Sequence, residues 1–375
     1  ILDEVLITAR ENPALQIIRN TIKNKSKNNI EKALSSFNFN AYNKILVTAN
    51  PDSINGKIDS VFIVKKDGSK EFSKLDSSNF KFKKDILKQH LYISEKISEH
   101  QFQKGKNKKE VVLASRMAGL KQPVYELLGI TFQDFSFYNE FYTLAGTKYT
   151  NPIAKNALKQ YNYKILDTVN NGNGQSIIIY FKPKEKKEIL GIEGVLYIDT
   201  KQFAITKAIA ELKGIVNVKA SQNYKYLETY NIWFPTAMNI VLRKGTNNEN
   251  ISLFGGTIKF SENKKNDSIF NTSAKEEGDV TYFISTTTNS NIIINTPVTV
   301  KKSASTIHFK DDAHKKTAQF WNLYRTDSLT KRGKATYTFL DSISEKEGVE
   351  KKINLARNIL KGYFPTKYIN LNLGK

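Results

Sequence analysis

Apolar positions change period several times along the first third of the chain. Asn12-Pro13 marks a helix start, a capping side chain followed by proline at the first helical position. Ala14, Ile17, Ile18 and Ile22 then recur at helical spacing, which predicts a helix through about Lys25. From Phe37 to Tyr42 apolar and polar residues alternate as in a half-buried strand, and Ile58 to Val64 predicts a second. Between Lys65 and Lys109 the pattern is lysine-rich and broken at Asp67-Gly68 and at Asp76-Ser77-Ser78. Within it Leu91-Tyr92-Ile93 reads as a strand, and Lys104 to Lys109 as a mobile, solvated loop. Glu110 to Arg116 is again a strand, ended by Gly119.

Asn151-Pro152 repeats the capping device and predicts a short helix with Ile153, Ala157, Leu158 and Tyr161 on one face. Strand signals then become dense. Tyr163 to Asp167 and Ile177 to Phe181 flank Asn170-Asn171-Gly172-Asn173-Gly174, a strong hairpin turn. Further strands are predicted at Gly194–Asp199, Phe203–Glu211, Val216–Tyr230, Ala237–Leu242, Ile251–Phe260, Thr281–Ser285 and Asn291–Val300. Trp233-Phe234-Pro235 reads as an aromatic turn between two of them. After Val300, Ala313 to Tyr324 and about Gly348 to Leu360 have helical texture, the second ended by Gly362 and Pro365.

The short Gly/Asn turns leave no room for parallel crossovers. The expected fold is therefore α+β, mainly antiparallel, a large curved open sheet or half-barrel with N-terminal and C-terminal helices. Residues 12–300 would form the sheet domain and 301–375 a helical segment. Ile1 to Ile7 reads as an interior strand and Asn372 to Lys375 stops in mid-pattern, so both ends look cut from a longer protein.

Composition sharpens this picture. A chain of 375 residues with 39% hydrophobic content can bury a sizeable core, and 18 Tyr and 22 Phe favour strands. The net charge of +22 invites a nucleic-acid partner. Its carriers argue otherwise: the excess is lysine spread along the chain, with arginine only at 10, 19, 116, 243, 325, 332 and 357. Base readout favours the arginine fork. A solvated surface, or one facing an anionic membrane, accounts better for that charge.

The chain has no cysteine, which excludes disulfides, thiolate metal sites and Cys nucleophiles. His90, His100, His308 and His314 show no metal-ligand spacing and read as exposed histidines. No apolar run is long enough for a membrane helix. Gly172-Asn173-Gly174 lacks the third glycine and following helix of a phosphate cradle, and Gly255-Gly256 reads as a bulge or bend. Asp134, Glu140, Glu193 and Asp199 are the carboxylates that could converge in an enzyme, although Asp199 sits where a turn residue caps its own backbone. Glu110 and Arg116, six apart on a strand, would face one side as a structural ion pair. No catalytic, cofactor or metal residue is assigned, and a non-enzyme is expected. A curved sheet with helices on its concave side could instead leave an apolar pocket for an acyl chain or peptide.

Several segments together carry a resemblance. They are Glu110 to Arg116 with Gly119, Asn151-Pro152-Ile153-Ala154 with Ala157-Leu158 and Tyr161 to Tyr163, and Gly194 to Asp199. Phe320 to Arg325 with Leu329-Thr330, and Glu4-Val5 with Glu11 to Ala14, complete the set. The combination resembles an uncharacterised Bacteroidetes outer-membrane family with a carboxypeptidase-regulatory-like β domain in front and a C-terminal membrane β-barrel behind. That resemblance implies export to the periplasmic face of the outer membrane. It also implies that residues 1–11 are the last strand of the front domain, and that the tail after Tyr363 leads into the barrel. The order of helix and strands is similar, more weakly, to the lipoprotein carriers LolA and LolB. The expected function is a periplasmic module binding an apolar chain (lipid or lipoprotein) or an envelope partner, beside its own barrel. A purely structural or docking module is the alternative, and after it an enzyme acting on glycan or peptide.

Overall fold

The computed structural model describes residues 11–106, 108–118, 136–144, 147–184, 191–214, 216–245, 251–253, 258–260, 269–270, 281–296, 307–347, 363–365 and 370–372. Helix α1 (Pro13–Asn28) begins where the sequence places it, with the Asn12 side chain accepting from the Ala14 amide and donating to the Tyr163 carbonyl at 2.7 Å. A single turn, α2 (Ile30–Ala33), follows. The first strands are β1 (Ser36–Ala49), β2 (Asp59–Val64) and β3 (Lys70–Asp76). Helix α3 (Ser78–Lys88) precedes β4 (Tyr92–Gln103) and β5 (Lys109–Met117).

Two short strands, β6 (Phe141–Leu144) and β7 (Thr147–Thr150), pair with each other. One helical turn, α4 (Ala157–Gln160), then leads into β8 (Tyr161–Asn170), β9 (Gln175–Pro183), β10 (Glu193–Asp199) and β11 (Ile205–Leu212). Strands β12 (Val216–Leu227) and β13 (Ile232–Lys244) continue the meander. The short strands β14 (Ile251–Leu253), β15 (Ile258–Phe260) and β16 (Ile269–Phe270) precede β17 (Thr281–Ile294) and β18 (Ile307–Phe309). Helices α5 (Ala318–Tyr324) and α6 (Lys331–Glu347) follow, and β19 (Tyr363–Pro365) pairs with β20 (Asn370–Asn372).

The fold is α+β and mainly antiparallel, a curved open sheet of eleven strands in the order β18-β5-β4-β1-β17-β13-β12-β11-β10-β9-β8. Two meanders, β1-β4-β5 and β8 to β13, are joined through β17, which pairs with β1 on one side and β13 on the other. The outermost pair is the parallel exception in this mainly antiparallel sheet: β18 runs parallel to β5, with Ile307 opposite Glu110. A parallel pair needs a long connection, and these two segments lie far apart in the chain.

Helices cover both faces rather than one. On the first, Ala14 and Ile18 of α1 join Phe137, Tyr138 and Ile153 to bury Tyr161, Phe181, Leu196 and Ala208 of β8 to β11. On the second, Trp321 of α5 packs on Tyr42, Ile97 and Ala114, and Tyr337 of α6 on Ile93 and Ala118.

Several sequence expectations are corrected. Trp233-Phe234-Pro235 lies within β13, and the turn falls earlier, at Asn231 with φ 50°. The two strands expected between Thr281 and Val300 are one, β17, with 297–300 outside the described residues. The expected helix after Asn151-Pro152 shrinks to α4: Asn151 accepts from the Ile153 amide in a turn, and Tyr161 already belongs to β8. Of the expected strand at Leu91 to Ile93, Tyr92 and Ile93 open a twelve-residue strand and Leu91 precedes it. The helix expected from Gly348 to Leu360, like Gly119 and Gly255-Gly256, lies outside the described residues.

Candidate functional site

Asp134 lies outside the described residues, and the other three carboxylates serve separate structural ends. Glu140 pairs with Lys25 of α1 at 2.8 Å and accepts from the Lys155 amide. Glu193 pairs with Lys213 at 2.9 Å. Asp199, fully buried, caps its turn by accepting from the Lys201 and Gln202 amides at 3.1 and 2.7 Å, as expected of a turn residue.

The residues that do converge lie on the α1 face, where β12, β13, β17, β1 and β4 approach the end of α1. The register sets Phe37 opposite Phe102, Phe39 opposite His100 and Asn43 opposite Lys96, and all six line the same cleft. Across from them stand Gln222, Tyr224, Met238, Thr287 and Asn289, with Tyr138 and Asn139 from the segment after 136. Phe37 stacks on Phe102 with centroids 4.7 Å apart, and Phe39 on the His100 ring at 5.0 Å and 7°. One wall is thus aromatic.

The other wall is rich in amides. Asn43 donates to Ser285, the Thr286 carbonyl and Thr287, so its position is fixed by β17. Asn289 donates to the Pro235 carbonyl at 3.0 Å, while its buried Oδ1 has no partner among the described residues. A buried acceptor of this kind favours a donor from whatever enters.

At the β4 end the cleft meets charge. The buried Lys96 ammonium lies 2.6 Å from Glu110, Ser98 donates to the same carboxylate oxygen at 2.6 Å, and His100 Nε2 stands 3.9 Å from it. Burial opposes the Glu110 charge, but Lys96 and His100 beside it and the two hydrogen bonds hold its carboxyl below the ordinary range. The expected pairing of Glu110 with Arg116 is overturned by a bulge. Ser98 pairs with Val112 but Ile97 with Ala114, so Leu113 is the extra residue that resets the alternation. Arg116 instead lies over the Tyr337 ring at 3.9 Å and 3.6 Å from Asp341.

Nor are His90 and His100 the exposed residues that the sequence suggests. His100 is covered by Phe39. His90 Nδ1 lies 2.9 Å from the Thr48 hydroxyl, and its amide donates to Thr336. Burial, with Arg332 and Lys44 nearby, pushes the His90 imidazole down to about 4. The basic tract at 104–109 closes the β4–β5 hairpin, where Lys104 donates to the Lys32 carbonyl and Lys108 pairs with Glu31 at 2.6 Å.

The cleft holds ≈ 130 Å³. Pockets that enclose a whole small ligand run to roughly 300–1,000 Å³, and a cavity of about 150 Å³ accepts a benzene ring. That volume matches one ring-sized group more closely than a whole acyl chain. No feature of the sequence announces it, because its walls come from five strands that only the register brings together.

No curated protein matches the sequence. Among solved structures, a DUF1329 family protein from Desulfovibrio piger is similar at 11% identity over 77% of this chain and 96% of that one, with a TM-score of 0.26. A putative outer membrane lipoprotein-sorting protein domain from Vibrio parahaemolyticus shares 7% identity over 76% of this chain and 94% of that one, at 0.25. MucB shares 8% over 74% and 92%, at 0.22. At scores of this size the fold rests on the strand order and register above. The model of the family of unknown function DUF5686 matches residues 17–261, most of the sheet and every strand of the cleft but β17, and the chain belongs to that family.

Proposed function

We propose that this chain is a non-catalytic binding module of the bacterial envelope, whose cleft takes a ring-sized apolar side chain and the adjoining backbone of an extended partner segment. The observation that carries this reading is the pairing of an aromatic wall with an amide wall around ≈ 130 Å³. Phe39, Tyr138 and Met238 offer apolar contact, while Asn43, Gln222 and Asn289 line the same cleft with amides that both donate and accept, as a peptide backbone requires. Lys96 and Glu110, paired at 2.6 Å, cancel each other's charge at the β4 end of the cleft. A free fatty acid needs a longer and drier channel.

In this reading the module acts at the periplasmic face of the outer membrane. Residues 1–11 are then the last strand of a preceding β domain, and 301–375 lead into a membrane barrel. The family resemblance supports that arrangement.

A photo-crosslinking residue in place of Phe39, in the full-length protein in its own cells, tests the proposal. Adducts should map reproducibly to one segment of one protein and vanish when Ala237→Trp fills the cleft. Adducts on lipid alone would favour an acyl ligand. Labelling no stronger than from the exposed position 164 would leave a purely structural module.

A further inference from the structure

Away from the cleft, the hairpin β2–β3 and helix α3 carry a group of large apolar side chains in solvent. Ile63, Phe72 and Leu75 are 48%, 54% and 64% exposed, and every residue of β3 from Lys70 to Leu75 is exposed. A strand in a two-sided sheet normally hides alternate residues; β3 hides none. Helix α3 buries Phe82 and Ile86 against Ala49 and Ile54. It also presents a second stripe, Phe80, Lys84 and Leu87 at i, i+4 and i+7, of which Phe80 is 45% and Leu87 58% exposed.

Charge decides what suits this patch. Residues 57–88 hold nine lysines against five Asp and Glu, a net +4, with no arginine and no tryptophan. Protein–protein interfaces deplete lysine and favour Arg and Trp at their centres. Exposed Phe and Leu interleaved with lysine instead match the boundary of an anionic bilayer. There the rings and branched chains enter the acyl boundary, and long lysine stems reach the phosphates.

We propose that β2–β3 and α3 form a peripheral docking surface for an anionic lipid headgroup layer, with Phe72, Leu75, Phe80 and Leu87 inserted and Lys74, Lys81 and Lys84 on the phosphates. The surface is separate from the cleft and stands or falls without it.

The test uses the whole chain and vesicles of phosphatidylglycerol and phosphatidylcholine in equal parts, against phosphatidylcholine alone. Co-sedimentation should require the anionic lipid. Partitioning should fall about tenfold or more in F72S/L75S and in K81E/K84E. It should change little in K219E/K225E, which removes the same charge from exposed positions on β12. Trp233 and Trp321 are both buried, so a Phe72→Trp variant adds an indole at the patch that brominated phosphatidylglycerol should quench. The proposal is overturned by wild-type protein that ignores anionic vesicles, by an equal loss in K219E/K225E, or by an unquenched indole. If F72S/L75S does not fold, K81E/K84E and the quenching measurement decide.

Discussion

Glu95 shows how one carboxylate can fasten two helices to a sheet. It is fully buried on β4 and accepts from Arg325 Nε and Nη2 at 2.7 and 2.6 Å, from the Tyr42 hydroxyl at 2.6 Å and from Tyr337 at 3.0 Å. Burial opposes its charge, but the Arg325 fork and the two phenols hold the carboxyl below its ordinary value. Arg325→Ala leaves that charge without its partner and should cost about 3–5 kcal/mol in denaturant unfolding; a loss under about 1 kcal/mol would mean that the node is dispensable. Because the folded value is depressed, the Glu95 contribution is present above the unfolded carboxylate value and lost as pH falls through the folded one.

His90 acts higher on the pH scale and in the same direction. Folded, it resists protonation down to about 4, whereas the unfolded chain takes the proton near 6.5, so stability drops as pH falls across that window. His90→Gln should flatten the pH dependence of the melting temperature between those values, and an unchanged slope would remove His90 as its cause. Gly194 carries a third prediction. A Cβ there would run into the Ile209 carbonyl oxygen, so Gly194→Ala should cost about 1–3 kcal/mol by forcing β10 from β11. At this scale the sequence speaks where a residue answers to its neighbours: the Asn12 cap, the Asp199 turn, and the hairpin with Gly172 at φ 82°. It is silent at Glu95, whose partners come from helices as well as β1, and at Glu110 and His100, whose partners are set by strand register.

Elements with a local signature were legible from Asn12 to Asn28 and from Tyr163 to Asp199, because caps, turn glycines and period-two runs agree there. Elsewhere tertiary contact overrides a weak pattern. Seven of the eleven residues of α3 are lysine or polar, and Phe82 and Ile86 hold it together with Lys83, which donates to the Ile54 carbonyl at 3.0 Å; α6 carries Gly333 and a run of Thr and Ser, yet Tyr337 pins it to β4 and β5. In β13, Trp233 and Phe234 look like a turn beside proline but are 3% and 0% exposed, buried in two different cores. Amide hydrogen exchange should follow this ranking. The central strands β1, β17 and β13, paired on both sides, should exchange slowest, and β3 and β18 at the edges fastest. Fast exchange across β17 would contradict its role as the joint between the two meanders.

For the molecule as a whole, the α+β class and the open antiparallel sheet followed from alternation and short turns, while the order of strands did not. The insertion of β17 between β1 and β13 pairs residues about 240 positions apart in sequence, such as Ile45 with Ser285. That insertion builds the cleft, since Thr287 and Asn289 line it and Ser285, Thr286 and Thr287 fix Asn43. Binding of a partner segment through one ring-sized side chain in this cleft is tested by titration calorimetry of the crosslinked segment, made as a free peptide, against wild type and Ala237→Trp. Saturable one-to-one binding to wild type is expected, lost in a variant that melts at the same temperature. Equal binding to both proteins would contradict it.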